Sequence, residues 1–186
     1  MENKVLDSGT YIYPLPVVLV SCGNESVQNI LTVSWTGTVC TSPAMTYISI
    51  RKERYSYDII KKSREFCINL TTENLAYIAD YVGTKSGRDV DKFKTLNLTA
   101  QKASVISAPM IKESPVSIEC RVVKVEELGS HDMFLAKVVA VNIDRDYLDI
   151  NEKIDAKKLK AIAYLQGEYF KLGESIGKRG FLVKSK

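Results

Sequence analysis

Residues 133–141 constrain the fold of this 186-residue chain more than any other stretch. Within a strand expected over 133–142, Met133, Leu135, Val139 and Val141 form one alternating set and Phe134, Ala136, Val138 and Ala140 the other, and both sets are almost wholly apolar, with Lys137 the exception. Successive side chains of a strand point to opposite faces, so such a run predicts a strand covered on both sides. Other stretches rich in β-branched and aromatic residues follow the same habit: 16–22, 29–40, 46–51, 66–70 and 116–126 read as strands. Turn signals separate them at Gly23-Asn24, Thr41-Ser42-Pro43 and Leu128-Gly129-Ser130.

Three helices are predicted among these strands. One covers 72–82, with Thr72 as its cap, Leu75, Ile78, Ala79 and Val82 on one face, and Gly83 as its stop. A short one covers 56–62, and a third covers 155–166, where Leu159, Ile162, Ala163 and Gln166 share a side. Many short strands with few helices predict a mainly β protein with flanking helices, a Greek-key barrel closed on itself. No repeat, linker or low-complexity stretch interrupts the chain, so 1–186 reads as a single domain.

A hydrophobic content of 45% and a charged content of 26% fit a globular protein and argue against a disordered or fibrous class. The net charge of +4 is modest, although Lys157, Lys158, Lys160, Lys171, Lys178, Arg179, Lys184 and Lys186 crowd the last thirty residues. That crowd reads as a solvated face rather than a nucleic-acid site. Residues 1–7 are polar and the apolar run 16–20 is too short to cross a bilayer, so a cytoplasmic protein with no membrane partner is expected. Cys22, Cys40, Cys67 and Cys120 have neither redox-motif nor zinc-site spacing and read as buried, reduced thiols; no metal is expected. The three Asn-x-Ser/Thr sequons, at Asn24, Asn69 and Asn97, carry no meaning in such a compartment.

Three segments carry chemistry. In the run 29–38, Asn29, Thr32, Ser34 and Thr36 bring donors and acceptors to the neighbourhood of Trp35, the only tryptophan. This is either a half-exposed strand whose indole fills the core or a site for a flat aromatic ligand. In 49–58 a strand ends in Arg51, Lys52 and Arg54, followed by Tyr55 and a helix start at Ser56. Free N–H groups and arginine forks together suit a phosphate; the plainer alternative is a surface helix whose arginines are solvated and whose Asp58 supplies the anion. The loop 83–93 places glycines at 83 and 87 around Lys85, Arg88 and Lys92, as either a flexible charged loop or a close approach to a ligand would. His131, the only histidine, stands at the mouth of the apolar strand, a surface position or one held against the barrel rim.

Taken in order, Asn29 to Trp35, the Pro43 turn, Ile50-Arg51-Lys52 with Arg54-Tyr55-Ser56, the loop from Ser86 to Phe93, and Gly129 to Phe134 resemble the flavin reductase-like proteins of the FMN-binding split barrel. The likeness is strongest to the flavoredoxin group and spans about residues 10–170. It implies an FMN-binding split β-barrel that works as a homodimer with the flavin near the subunit interface. It further implies that Asn29, Thr32, Val33, Ser34 and Trp35 lie along the ring and ribityl chain, and that Arg51, Arg54, Tyr55 and Ser56 lie near the phosphate end. Lys92 and His131 would approach the ring from later loops, and Tyr164 would close over it.

The residues agree with that implication, since a flavin needs an apolar surface, hydrogen bonds to its pyrimidine edge and cations for its phosphate. The chemistry would be the cofactor's, with no catalytic side chain, and a positive Lys92 or His131 would stabilise the reduced ring. Gly173, Gly177 and Gly180 lack dinucleotide-fingerprint spacing, and Gly177-Lys178 is followed by Arg179 rather than Ser or Thr. NADH or NADPH is therefore expected as a transient electron donor on the exposed ring. The implied activity is transfer from reduced nicotinamide through flavin to a small acceptor. The alternative is a flavoredoxin-type carrier between protein partners, and an unliganded barrel is the third reading.

Overall fold

The computed structural model of the chain describes residues 2–181 and 183; Lys184 and Lys186 of the basic tail lie outside them. Its strands are β1 (Leu15–Pro16), β2 (Val18–Gly23), β3 (Gln28–Val33), β4 (Thr36–Thr41), β5 (Ala44–Ile50), β6 (Glu65–Leu70), β7 (Ala100–Gln101), β8 (Met110–Ile111), β9 (Val116–Glu127), β10 (Asp132–Ile143), β11 (Ile162–Leu165) and β12 (Glu168–Lys171). The helices are α1 (Tyr55–Ser63), α2 (Ala76–Thr84) and two single turns, α3 (Lys92–Thr95) and α4 (Ala156–Leu159).

Seven strands form one antiparallel sheet in the order β3-β2-β6-β9-β10-β5-β4. β3 and β4 are consecutive in the chain yet lie at opposite edges, and only Ser34 and Trp35 join them. A two-residue joint cannot cross a flat seven-stranded sheet, so the sheet rolls until its edges meet. Near this joint the Ser49 N–H donates to the Trp35 carbonyl at 2.9 Å. The predicted single strand 29–40 is thus two strands, broken where the barrel comes together.

Inward-facing Val18, Val20, Leu31, Ile48, Phe66 and Phe134 fill the barrel, and Tyr57 and Ile60 of α1 pack into the same core. The outer face of β2 and β3, with Val17 just before β2, supplies Val17, Leu19 and Ile30 to a second core, under Ala79 and Val82 of α2. Burying this face against a helix explains why β2 is sealed along its whole length. β10 departs from expectation. Phe134 and Ala136 are buried and Val139 packs against a cluster of Cys67, Ala103, Ile106, Ala108 and Met110, but Met133 and Leu135 are only half-buried and Val141 is 51% exposed, so among the described residues the outer face is covered only in part.

Two helix predictions are corrected. The helix from 72 opens as a 3-10 turn at Glu73–Leu75, Thr72 makes no side-chain cap bond, and Gly83 lies inside the last turn of α2 instead of ending it. The helix over 155–166 is only α4, capped by Asp155, whose carboxylate accepts from the N–H groups of Lys157 and Lys158. Lys160 then turns left-handed at φ 44°, and Ile162 to Leu165 form a strand between β1 and β12, with Tyr164 opposite Leu15 and Tyr169. The β-prone Ile-Ala-Tyr-Leu sequence, supplied with strand partners, overrides a weak helical periodicity. Of the four thiols, Cys22, Cys67 and Cys120 are buried and Cys40 is half-buried. Among the described residues no helix is long and apolar enough to cross a membrane.

Candidate functional site

Two adjoining clefts open where β3, the start of α1, the end of α2 and the β9–β10 turn converge. The smaller, about 110 Å³, is walled by Val33, Ser34, Trp35, Ser49, Arg51 and His131. The larger, about 310 Å³, is walled by Asn29, Tyr55, Ser56, the loop 85–88 and Lys92. Leu31, Thr32 and Arg54 belong to both walls. Eleven of the twelve residues singled out from sequence meet here. Tyr164 does not; it packs on Tyr169 with ring centroids 5.6 Å apart, beside the second core.

The small cleft is flat-sided. Trp35, half-buried at the barrel joint, faces the His131 ring at 6.3 Å with 39° between planes. Burial and the cations Arg51 and Arg54 lower the His131 pKa while Glu53 opposes them, which favours the neutral imidazole. Behind this wall, fully buried Asp132 accepts a 2.5 Å bond from the Tyr57 hydroxyl, and Lys52 Nζ stands 3.6 Å from its other oxygen. That bond pushes the Tyr57 pKa up to about 12. A neutral phenol thus fixes the strand end that carries His131.

The larger cleft is cationic. Arg54, Lys85, Arg88 and Lys92 face Glu53, and none of the four cations makes an ion pair among the described residues. Arg54 donates to the Gly83 carbonyl at 3.3 Å, and Arg88 donates to the Glu53 carbonyl at 2.9 Å while its guanidinium lies 5.6 Å from the Tyr55 ring centre. Tyr55 and Ser56 open α1, where backbone N–H groups have no acceptor within the helix. Asn29 secures the start, its amide donating to Ser56 Oγ at 2.7 Å.

Lys92 is almost wholly buried, and its ammonium donates to the carbonyls of Ile30 and Val82, both at 2.8 Å. It therefore straps β3 to the end of α2. Burial first, and then the Arg54 charge, lower its pKa to about 8, against a small opposing effect of Cys22. Thr32 makes a parallel strap, its hydroxyl donating to Ala79 O at 2.5 Å.

Lys85, Ser86, Gly87 and Arg88 were not assigned to the site from sequence, although the glycine-flanked basic loop was the available signal. Gly87 is the informative member. A Cβ built there would stand 2.2 Å from Asn29 Oδ1 and 2.6 Å from the Tyr55 ring, so only glycine lets the loop lie this close to the cleft floor.

Comparison with known proteins agrees with this geometry. The flavoredoxin of Desulfovibrio vulgaris (Miyazaki F) superposes with a TM-score of 0.91 at 29% identity, over 98% of this chain and all of that one. Flavoredoxin from Methanosarcina acetivorans gives 0.91 at 27% identity, over all of this chain and 99% of that one. A curated relative in Rhodococcus opacus, the reductase component of a 4-nitrophenol 4-monooxygenase/4-nitrocatechol 2-monooxygenase, is 28% identical over 66% of this chain and 63% of its own. The sequence model for the flavin reductase like domain matches residues 10–173. With a rolled antiparallel sheet of this kind, and with that match over most of its length, the chain belongs to the flavin reductase-like family.

Proposed function

We propose that the chain is a single FMN-binding domain and a flavin-dependent oxidoreductase, taking electrons from NADH or NADPH and passing them to a small acceptor. The observation that supports this reading is the pairing of a flat-sided cleft at Trp35 with a cleft holding four cations that make no ion pair among the described residues. A flavin with a ribityl phosphate has the same division: a tricyclic ring, a hydroxylated chain and a terminal dianion. The residues suit it. Gly87 leaves room beside Asn29 and Tyr55, and the arginine forks match phosphate oxygens.

Bound FMN would supply the hydride and electron chemistry. The chain's own part is to bind, orient and screen. Arg54, Arg88, Ser56 and the opening N–H groups of α1 take the phosphate. Trp35 backs the ring, and Asn29, Thr32 and Ser34 meet the ribityl chain and ring edge. Lys92 presents a buried positive charge from below, where it favours added electron density in the ring. A cytoplasmic location and a homodimer belong to the same proposal.

Likeness to flavoredoxins along the whole chain favours a second reading, a flavin-bound carrier that exchanges electrons with proteins and oxidises nicotinamide poorly. Visible spectra taken anaerobically, before and after reduced nicotinamide, test both. A flavin spectrum bleached by NADH or NADPH supports the enzyme, and one bleached only through a protein donor supports the carrier. Failure to acquire a flavin spectrum in excess FMN overturns both.

A further inference from the structure

Asp132 is fully buried at one end of the barrel, and three segments that wall the clefts converge on its carboxylate. One oxygen accepts from the Tyr57 hydroxyl at 2.5 Å; the other accepts no hydrogen bond among the described residues, with Lys52 Nζ 3.6 Å away. Resting on the reading above, we propose that Asp132 is the positioning residue of the flavin cleft. Its carboxylate holds His131 against Trp35 and holds the turn from Arg51 to Arg54 at the phosphate end.

Connectivity carries the argument. Asp132 opens β10 opposite Ile50 and Glu127, and it directly follows His131. The His131 carbonyl accepts from the Leu128 N–H at 3.1 Å, which closes the turn behind the ring. Lys52 also reaches Glu127 Oε2 at 3.3 Å, and it sits in a turn where the Arg54 N–H donates to the Arg51 carbonyl at 3.1 Å. Arg51 walls the small cleft and Arg54 walls both. The Tyr57 N–H donates to the Arg54 carbonyl at 2.9 Å, and its ring stands edge-on to Phe134 with centroids 5.4 Å apart. Lys61 Nζ lies 3.4 Å from the Tyr57 hydroxyl, so Lys52, Lys61 and Glu127 are the charged groups around the pair. Through Tyr57 and Lys52, one carboxylate thus ties the start of α1 and the arginine turn to the strand end that carries His131.

Stability alone does not account for this arrangement. A carboxylate is costly to bury, and an apolar pair of similar volume often closes such a space at least as well. A tether among three segments needs two acceptor oxygens with fixed directions, which a carboxylate has. Neither Asp132 nor Tyr57 lines either cleft, so the effect passes through His131 and the arginines.

Trp35 and His131 are the only tryptophan and the only histidine, which makes the wall they form its own probe. A protonated imidazole quenches a neighbouring indole, so Trp35 emission of the flavin-stripped protein, followed against pH, reports the His131 titration. In wild type that midpoint is lowered by burial and by Arg51 and Arg54, against Glu53. Tyr57→Phe keeps the ring and removes the tie, and the midpoint is expected to rise toward the ordinary histidine range as His131 loosens. Asp132→Asn should raise it too, although losing a nearby negative charge would by itself lower it. FMN affinity of Asp132→Asn should fall about tenfold and riboflavin affinity by much less, since Arg54 serves the phosphate. An unchanged midpoint in Tyr57→Phe, whatever happens to its melting temperature, would overturn the proposal. So would wild-type emission with no titration, or equal losses of FMN and riboflavin. If Asp132→Asn does not fold, the Tyr57→Phe titration decides. Failure of wild type to bind FMN would instead remove the reading on which this one rests, and the emission titration would stand apart from it.

Discussion

Lys92 carries its charge almost wholly buried, held by two carbonyls and, among the described residues, by no carboxylate. Its pKa of about 8 in the folded chain lies below the ordinary 10.5. Between those values the unfolded chain holds a proton that the folded one has lost, so this group makes stability rise with pH across that window. Cys22 and Tyr57, raised to about 11 and about 12, act in the opposite sense at higher pH. Denaturation of wild type and Lys92→Met from pH 7 to 10 should therefore show a rising wild-type-minus-variant difference. An FMN phosphate favours the charged ammonium, so FMN affinity should fall above about pH 8 more steeply than riboflavin affinity. Arg54 has a related signature: Arg54→Ala should weaken FMN at least about tenfold and riboflavin by much less, because only FMN presents the phosphate. Trp35 is half-buried, so Trp35→Ala should cost about 2 kcal/mol of stability, less than a fully buried indole, and about tenfold in flavin affinity. Thermal melting and flavin titration separate the two effects.

At the scale of elements, the site exists because β3, α1 and the 85–92 loop are drawn together, and Gly87 sets how close they come. Gly87→Ala should push the loop off Asn29 and Tyr55, losing FMN affinity tenfold or more with a small change in melting temperature. Unchanged affinity would mean that the loop yields without narrowing the cleft. These elements differ in how far they can be read from sequence. The strands of the large sheet were legible because alternation and turn residues act locally, whereas the short β7, β8 and β12 were not read as strands, and α1 was legible to within a residue at each end. The break at Ser34 and Trp35 was not, since both residues suit a continuing strand and the cause is closure of a seven-stranded sheet. The strand at Ile162 to Leu165 was hidden for the same reason: its partner, Leu15–Pro16, lies far away in sequence. Residue types gathered the site; the distances that exclude Tyr164 from it and tie Lys92 beneath it are tertiary.

For the whole molecule, the part of the barrel's outer face left half-covered among the described residues matters most. Along β10 and β5 the inward positions Phe134, Ala136, Ile48 and Ile50 are sealed, while their outward neighbours Met133, Leu135, Met45 and Tyr47 are left half-buried. Tyr47 and Leu135 are cross-strand partners, while Met133 stands opposite Ser49 and Met45 opposite the exposed Lys137, so the half-buried apolar groups form a strip with polar residues at its margins. Further apolar side chains stand free nearby in sequence or at the chain's ends, including Val39, Ile12 and Ile176. A solvated strip of this kind is unfavourable by about 25 cal/mol for each Å² that a partner could cover. A second copy is the proposed partner, in keeping with a strand whose sequence is almost wholly apolar on both faces. Leu135→Glu places a carboxylate in the middle of the strip without touching the barrel core. It should halve the mass seen by sedimentation while leaving the far-ultraviolet circular dichroism unchanged. FMN titration of the same variant then distinguishes two arrangements. Lost affinity would mean that the neighbouring subunit completes the small cleft at Trp35, and unchanged affinity would mean that each barrel holds its flavin alone. A wild-type protein that sediments as a monomer at all concentrations would leave the strip without its proposed cover.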